Sequence, residues 1–422
     1  MLLSPGGRGR VNEVAGTGPD TEEKVFLLEE GGCWRMGSKS SQLGYRRAWH
    51  LLNRTGFGAS PADIDALSQM PVADAVESLS IWPIADPPAP ATQIHRDAAS
   101  NASVDAKSGA DSERGTDAVA SGVFRSLANG DVSTLERWWV SQILETADAL
   151  NEQLVLLWHD HFATSFDKVK SAAMMMQQHA LFRRHGQVDG NFASLAHGIV
   201  CDPAMLCYLD NDTSIKSHPN ENLARELMEL FTLGAGHYAE QDVREAARAL
   251  TGAGVADAGY AFNRDAHDHG EKSILGRTGR WQAGDTVDLL LDEPACADWV
   301  SGKLYEHFVA DLEVGRADHR EQTVLQLART LRTSSYALAP ALKRLLLDEL
   351  FYDAAVIGRK MKSPIQLVVG TIKNLGTPTR DLGVLTDQLA LMGQSLFRPP
   401  TVAGWPRGRE WIGSASMLAR HN

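Results

Sequence analysis

From Gln42 onward, apolar residues recur at intervals of three and four rather than two, the spacing of helices that bury one face. The pattern predicts helix, turn, helix from Gln42 to Met70. Gly56-Phe57-Gly58 breaks the first helix, and Ser60-Pro61 opens the second with a capping hydroxyl and a proline at the first helical position. Further helices are expected at Thr134–Trp158, Ser171–Arg184, Asn220–Leu233, Glu240–Thr251, Asp298–Val309, Glu321–Arg332, Leu338–Leu350, Pro364–Leu375 and Leu382–Met392. Between Gly252 and Gly284 glycine and aspartate increase, and a short hairpin is expected around Ile274 to Trp281. No repeat of fixed period is present. Residues 82–122 are rich in Ala, Pro, Asp and Ser, with too few large apolar side chains to offset the entropy of ordering, so they read as a disordered insert. Residues 1–40 read as a poorly ordered extension. The expected fold is mainly α: one multi-helix globular bundle over residues 41–422, interrupted by the insert.

Composition narrows the function. Of 422 residues, 43% are apolar and 22% charged, which is ordinary for a globular chain. Lys+Arg number 41 against 53 Asp+Glu, a balance of −12 that argues against nucleic acid or an anionic membrane as partner. No apolar run is long enough for a transmembrane segment. Met1-Leu2-Leu3 runs straight into Ser4-Pro5-Gly6-Gly7 with no apolar signal region, so the sequence as written reads as cytoplasmic; Met36, just ahead of the first strong pattern, reads as an alternative start. Four scattered cysteines (Cys33, Cys201, Cys207, Cys296) form no C-x-x-C pair and read as buried free thiols.

The densest polar stretch is Asn220 to Gly234, preceded by Pro219. At about 100° per residue, Leu223, Leu227, Leu230 and Phe231 make one apolar stripe, with Asn222, Glu226 and Glu229 on its flank and Glu221 paired to Arg225. Two half-buried carboxylates three residues apart need a cation, an arginine or a proton between them. An ion-pair network with Arg244 or Arg248 is one solution; a metal is the other. Asp242 and Glu245 on the next helix are placed to face the same groove. In Trp158-His159-Asp160-His161-Phe162 the two imidazoles chelate one metal only if the helix ends near Trp158, because on a helix they diverge by about 200°. His267-Asp268-His269-Gly270-Glu271-Lys272 lies in a Gly-rich loop, where His267 and Asp268 suit metal ligation and Lys272 suits a substrate anion. Pro399, Pro400, Gly404, Trp405, Pro406 and Trp411 read as a packed aromatic turn. There is no G-x-S-x-G, G-x-x-x-x-G-K-[ST], G-x-G-x-x-G or H-E-x-x-H, which removes the common serine hydrolase, P-loop, Rossmann and zincin readings.

Taken in order, His50–Gly58, Trp158–Ser165, Asp202-Pro203-Ala204-Met205-Leu206, Pro219–Gly234, Tyr238–Gly252, His267–Gly276 and Val402-Ala403-Gly404-Trp405-Pro406 resemble the large bacterial family known as domain of unknown function 1800. The resemblance runs from about Tyr45 to Asn422 without the insert. It implies a mainly helical protein, often exported. It also implies a partner encoded nearby that resembles the alkaline-phosphatase and sulfatase superfamily. The chain departs from the pattern at Gln153, where lysine is common, in lacking an export signal, and in ending early.

Two functional readings follow. The first is a metal-dependent hydrolytic or transfer enzyme, with a divalent ion (zinc, manganese or iron) held by His159, His161, Glu226, Asp242, His267 and Asp268. Glu229 would then be the base and Lys272 the anion holder. The second is a non-catalytic accessory or assembly protein in which the same charges are structural ion pairs.

Overall fold

A helix turn that is apolar on every side is stable only inside protein, and Leu154-Val155-Leu156-Leu157-Trp158, following Asn151-Glu152-Gln153, is such a stretch. In the computed structural model it lies in the helix Ala149–His161, with Leu154, Val155 and Trp158 completely buried. The structure describes Phe26–Leu28, Trp34–Met36 and residues 42–80, 131–311, 317–377 and 381–421. The expected insert at 82–122 lies outside the described residues, as does most of the expected extension at 1–40.

The chain divides into two units, Met1–Gln42 and Leu43–Asn422. In the first, Phe26–Leu28 pairs antiparallel with Trp34–Met36. The second is mainly α, as the periodicity predicts. Eighteen α-helices are present among the described residues, and the strands of this unit form two short antiparallel hairpins. No helix among the described residues is long and apolar enough to cross a membrane.

Several elements differ from the sequence pattern for local reasons. The expected helix Thr134–Trp158 is two helices, Val132–Glu145 and Ala149–His161, because Asp148 caps a new start by accepting from the Asn151 amide at 3.3 Å. The second of these continues to His161, past the point at which an extended His-x-His pair would require it to stop. The expected regular helix Asn220–Leu233 is α only over Asn222–Glu226 and widens into a π-helix over Leu227–Thr232. Its amide–carbonyl bonds lengthen from four residues to five, as in Leu233 N to Met228 O at 2.8 Å. The turn rotates Met228 into the core and leaves Leu230 half-buried.

The expected hairpin pairs Lys272–Ile274 with Arg277–Gly279 around Leu275-Gly276, both at positive φ. A second, Ala253–Ala256 with Gly259–Phe262, turns on Asp257-Ala258 and carries no Asn-Gly or Asp-Gly signal. Cys201, Cys207 and Cys296 are free thiols, with Cys296 buried and the other two half-buried; Cys33 lies outside the described residues. Burial pushes the Cys296 thiol up to about 12 and removes it from redox chemistry at neutral pH.

A cleft at the ends of two helices as the candidate functional site

The helix Pro294–Phe308 leaves its last carbonyls open, as every helix does. Two cations close them. Arg54 donates to His307 O at 2.6 Å and Phe308 O at 2.9 Å, and Lys360 donates to His307 O at 2.8 Å and also to Glu306 O. The negative end of a helix dipole favours both charges. Their effect is to fix the last turn of this helix against the segment His50–Gly58, so that Trp299, Lys303, Glu306 and His307 face a cleft of about 840 Å³.

The opposite wall comes from the end of the helix Ala149–His161 and from Pro400–Trp411. Asp160 joins them: its carboxylate accepts from the Trp405 amide at 2.7 Å and from Arg407 at 2.9 Å, while Arg407 also reaches Glu306 at 3.3 Å. This close approach requires Gly404. Its φ is +94°, and a Cβ there would run into Asp160.

The π-helix sets two further groups in the wall. Near its end Leu230 O accepts from Trp299 Nε1 at 2.8 Å, and Phe231 O pairs with His161 Nε2 at 2.9 Å. A carbonyl only accepts, so Nε2 of His161 carries the proton and Nδ1 holds a lone pair. That Nδ1 is buried and has no partner among the described residues. Gly234, at φ +80°, lies against the Trp299 ring, where a Cβ would come within 2.7 Å.

Behind the cleft, buried Gln153 is a hub. It donates to Gly56 O at 2.7 Å, and its carbonyl oxygen accepts from His307 Nε2 at 3.0 Å and Gln366 at 3.2 Å. His307 is thereby held as the Nε2–H tautomer.

Electrostatically the cleft holds more cation than its acids use. Asp160 and Glu306 share Arg407, and Glu306 also meets Arg320 at 3.5 Å. Asp311 lies 4.0 Å from Lys360. Lys303 stands apart. Its ammonium sits 4.3 Å from the centroid of the Trp299 ring, with no hydrogen bond or ion pair to any described residue. The guanidinium of Arg359, exposed at the rim, likewise forms none. Burial first, then Arg407, lower the Lys303 pKa to about 8 against the opposing Glu306 and Asp160. Burial and then Lys303 lower His161 to about 3; burial followed by Lys360, Arg54 and Arg407 also holds His307 neutral. Both imidazoles are therefore neutral hydrogen-bonding groups at physiological pH.

The residues singled out from the sequence do not meet at one centre. Among the described residues no three His, Cys, Asp or Glu side chains are placed to hold one metal ion. His159 turns away from His161 into a buried network: its Nε2 meets His179 Nδ1 at 3.0 Å, His179 Nε2 accepts from Arg183 at 2.7 Å, and Arg183 pairs with Glu152 at 2.6 Å. Glu226 is half-buried without a hydrogen bond, and burial followed by the Glu229 charge raises its pKa. Glu229 accepts from the Tyr238 hydroxyl at 2.7 Å.

Asp242 caps its own helix through the Ala239 amide and accepts from the Leu275 amide, both at 2.8 Å, so it faces the hairpin rather than the preceding helix. Glu245 does the same with Ser273. His267 bonds Thr251 O at 2.8 Å, and Asp268 pairs with Arg248 at 2.7 Å. Lys272, buried, donates to Asp268 O and Gly270 O within its own loop rather than to a ligand. The expected Arg248 network exists, but it serves Glu245 and Asp268 and not the Glu226–Glu229 pair.

Only His161 of that set reaches the cleft. Sequence reasoning passed over Asp160, although it lies between the two histidines, and read Gly404-Trp405 as packing alone. The signal was the polar residue inside each motif, not the metal-type spacing around it. Lys303, Glu306, His307 and Lys360 carried no local signal at all.

Comparison with known proteins adds one finding. Residues 50–422 match the family described as "Protein of unknown function (DUF1800)". No curated protein and no solved structure matches the chain.

Proposed function

The chain belongs to the DUF1800 family, and from its cleft we propose that it binds a small anionic ligand between the helices Ala149–His161 and Pro294–Phe308 and the segment Pro400–Trp411. One observation carries the reading: Lys303 is the cation inside the cleft that is left without an acceptor, while the neighbouring acids already share Arg407. An anion entering there finds a partly desolvated ammonium and displaces no carboxylate, whereas a metal ion would have to compete with Arg407 for Asp160 and Glu306. The volume suits a small molecule, for which sites of roughly 300–1,000 Å³ are usual. The side-chain amides of Gln366 and Gln394 line the same cleft and offer hydrogen bonds to orient it, whereas the single N–H of neutral His161 and of His307 is already given to Phe231 O and to Gln153. A metal-dependent hydrolase has weaker support, because its candidate ligands are engaged in separate local contacts.

The test is calorimetric titration of the intact protein with inorganic phosphate, sulfate and citrate. Binding of at least one, weakened ten-fold or more in Lys303→Gln, is expected; that factor corresponds to about 1.4 kcal/mol. No binding of any probe, or equal binding by Lys303→Gln, contradicts the reading.

A further inference from the structure

The surroundings of half-buried Lys303 differ from those of Lys272, Lys360 and Lys362; Lys373 likewise has no acceptor among the described residues but does not line the cleft. Lys272 donates to two carbonyls, Lys360 to two carbonyls, and Lys362 to Asn53 Oδ1 at 3.0 Å. Acceptors of this kind occupy the nitrogen's protons and turn it away from a ligand, even at Lys360, where burial lowers the pKa to about 7. Lys303 has no acceptor, lies against the apolar face of Trp299, and opens on the cleft.

We propose that Lys303 is a reactive amine that condenses with an aldehyde or ketone group carried by the anionic ligand, forming an imine in the cleft. The inference rests on the anion-binding reading for docking and goes beyond it in assigning a bond-forming group. The nitrogen lone pair forms the N–C bond as the C=O π pair moves to oxygen. Both amine protons end on that oxygen, and the C–O bond breaks as water leaves. Amine plus carbonyl thus gives imine plus water, with no oxidant or reductant.

Attack needs the neutral amine. The groups that face Lys303 are Asp160 and neutral His161 on the central helix, Arg407 on the C-terminal segment, and Glu306 on its own helix. Burial and Arg407 prevail over the two carboxylates and set the pKa near 8, which leaves about a fifth of the amine neutral at pH 7.4. Arg359 at the rim supplies charge to hold the ligand's anionic end.

Pyridoxal 5′-phosphate, an anionic aldehyde, is the probe. The full chain is treated with it at pH 7.5, reduced with borohydride and mapped by peptide mass. Lys303 is expected to be labelled at least ten-fold faster than the exposed Lys168 and Lys170, with a rate that rises through pH 8 and falls when inorganic phosphate is added. Lys303→Arg is expected to remove the fast phase. Labelling of Lys303 no faster than the exposed lysines overturns the inference. Phosphate binding without preferential labelling would leave the anion cleft standing and remove the amine chemistry. Preferential labelling by neutral propionaldehyde, with no phosphate binding, would do the reverse.

Discussion

Two regions of this chain are crowded with charge, and they behave differently. Around Glu226, Asp242, Glu245 and Asp268 the groups lie within fifty residues of one another, and most are consumed by neighbours: helix capping, a hairpin amide, one arginine shared between two acids. In the cleft, the participating groups come from Arg54, Gln153, Asp160, Lys303, Lys360 and Arg407, which are separated by up to several hundred residues, and Lys303 is left over inside it. A high local density of acids and histidines is what a self-satisfied loop looks like. Glu226 and Lys303 are both half-buried and unpaired, and what separates them is that Lys303 opens on a cleft.

The comparison breaks most readily at glycine. Gly404→Ala forces an L-residue into φ +94° and drives a methyl into Asp160, so a loss of about 3 kcal/mol or more is expected in chemical denaturation. Gly276→Ala in the hairpin, at φ +75° with nothing within 4 Å, bears only the backbone strain, about 1 kcal/mol. Equal losses would mean that the Asp160 junction carries no special weight.

Next in size is a matched pair of neutralisations. Asp160→Asn removes the charge that Arg407 pairs with behind the cleft and is expected to cost about 2 kcal/mol. Each arginine keeps a second acid, Glu306 or Glu245, but Asp268→Asn loosens a pair within one local loop rather than a junction between distant segments and is expected to cost about half as much. Thermal midpoints of the two variants sharpen the contrast; a reversed order would place the structural weight in the loop.

Protonation gives the third. His161 is neutral in the folded chain because burial lowers its pKa to about 3, whereas the unfolded chain takes up that proton below about 6.5. The unfolded state therefore binds more protons between those values, and stability falls as the pH drops. Relative to His161→Gln, the parent chain is expected to lose about 1 kcal/mol more between pH 6.5 and 5.5. Parallel pH profiles would show that His161 is not held neutral by its position. The smallest effect belongs to Glu226→Gln: removing a carboxylate that Glu229 already repels is expected to leave stability within about 0.5 kcal/mol or raise it slightly, and to leave phosphate binding unchanged.

Much of the fold was legible because periodicity reports burial. Pro364–Leu375 is found at the expected limits, and Ala172–His185 and Glu240–Leu250 lie within one residue of theirs. What failed were features decided by a single contact. Asp148 starts a new helix inside what reads as one continuous helical pattern, and the widened turn at Leu227–Thr232 carries no break in its pattern. The short helix Phe192–Ile199 depends on Asn191 capping two amides.

The motifs themselves pointed near the cleft. Arg54 in the first, Asp160 in the second and Gly404 in the last all build it. Spacing rules favoured His159 and His161 as a chelating pair, and the continued helix separates them. Lys303 had no local signature, since its distinction is the absence of a partner, which only the folded arrangement reveals.

The central claim, that the cleft rather than the carboxylate-rich helix and loop is the ligand site, is tested most directly by crystals soaked with selenate and with manganese(II). The account predicts an anomalous selenium peak beside Lys303 and Arg407. A manganese peak bound by Glu226, Glu229 or Asp268, with no selenium in the cleft, would contradict it.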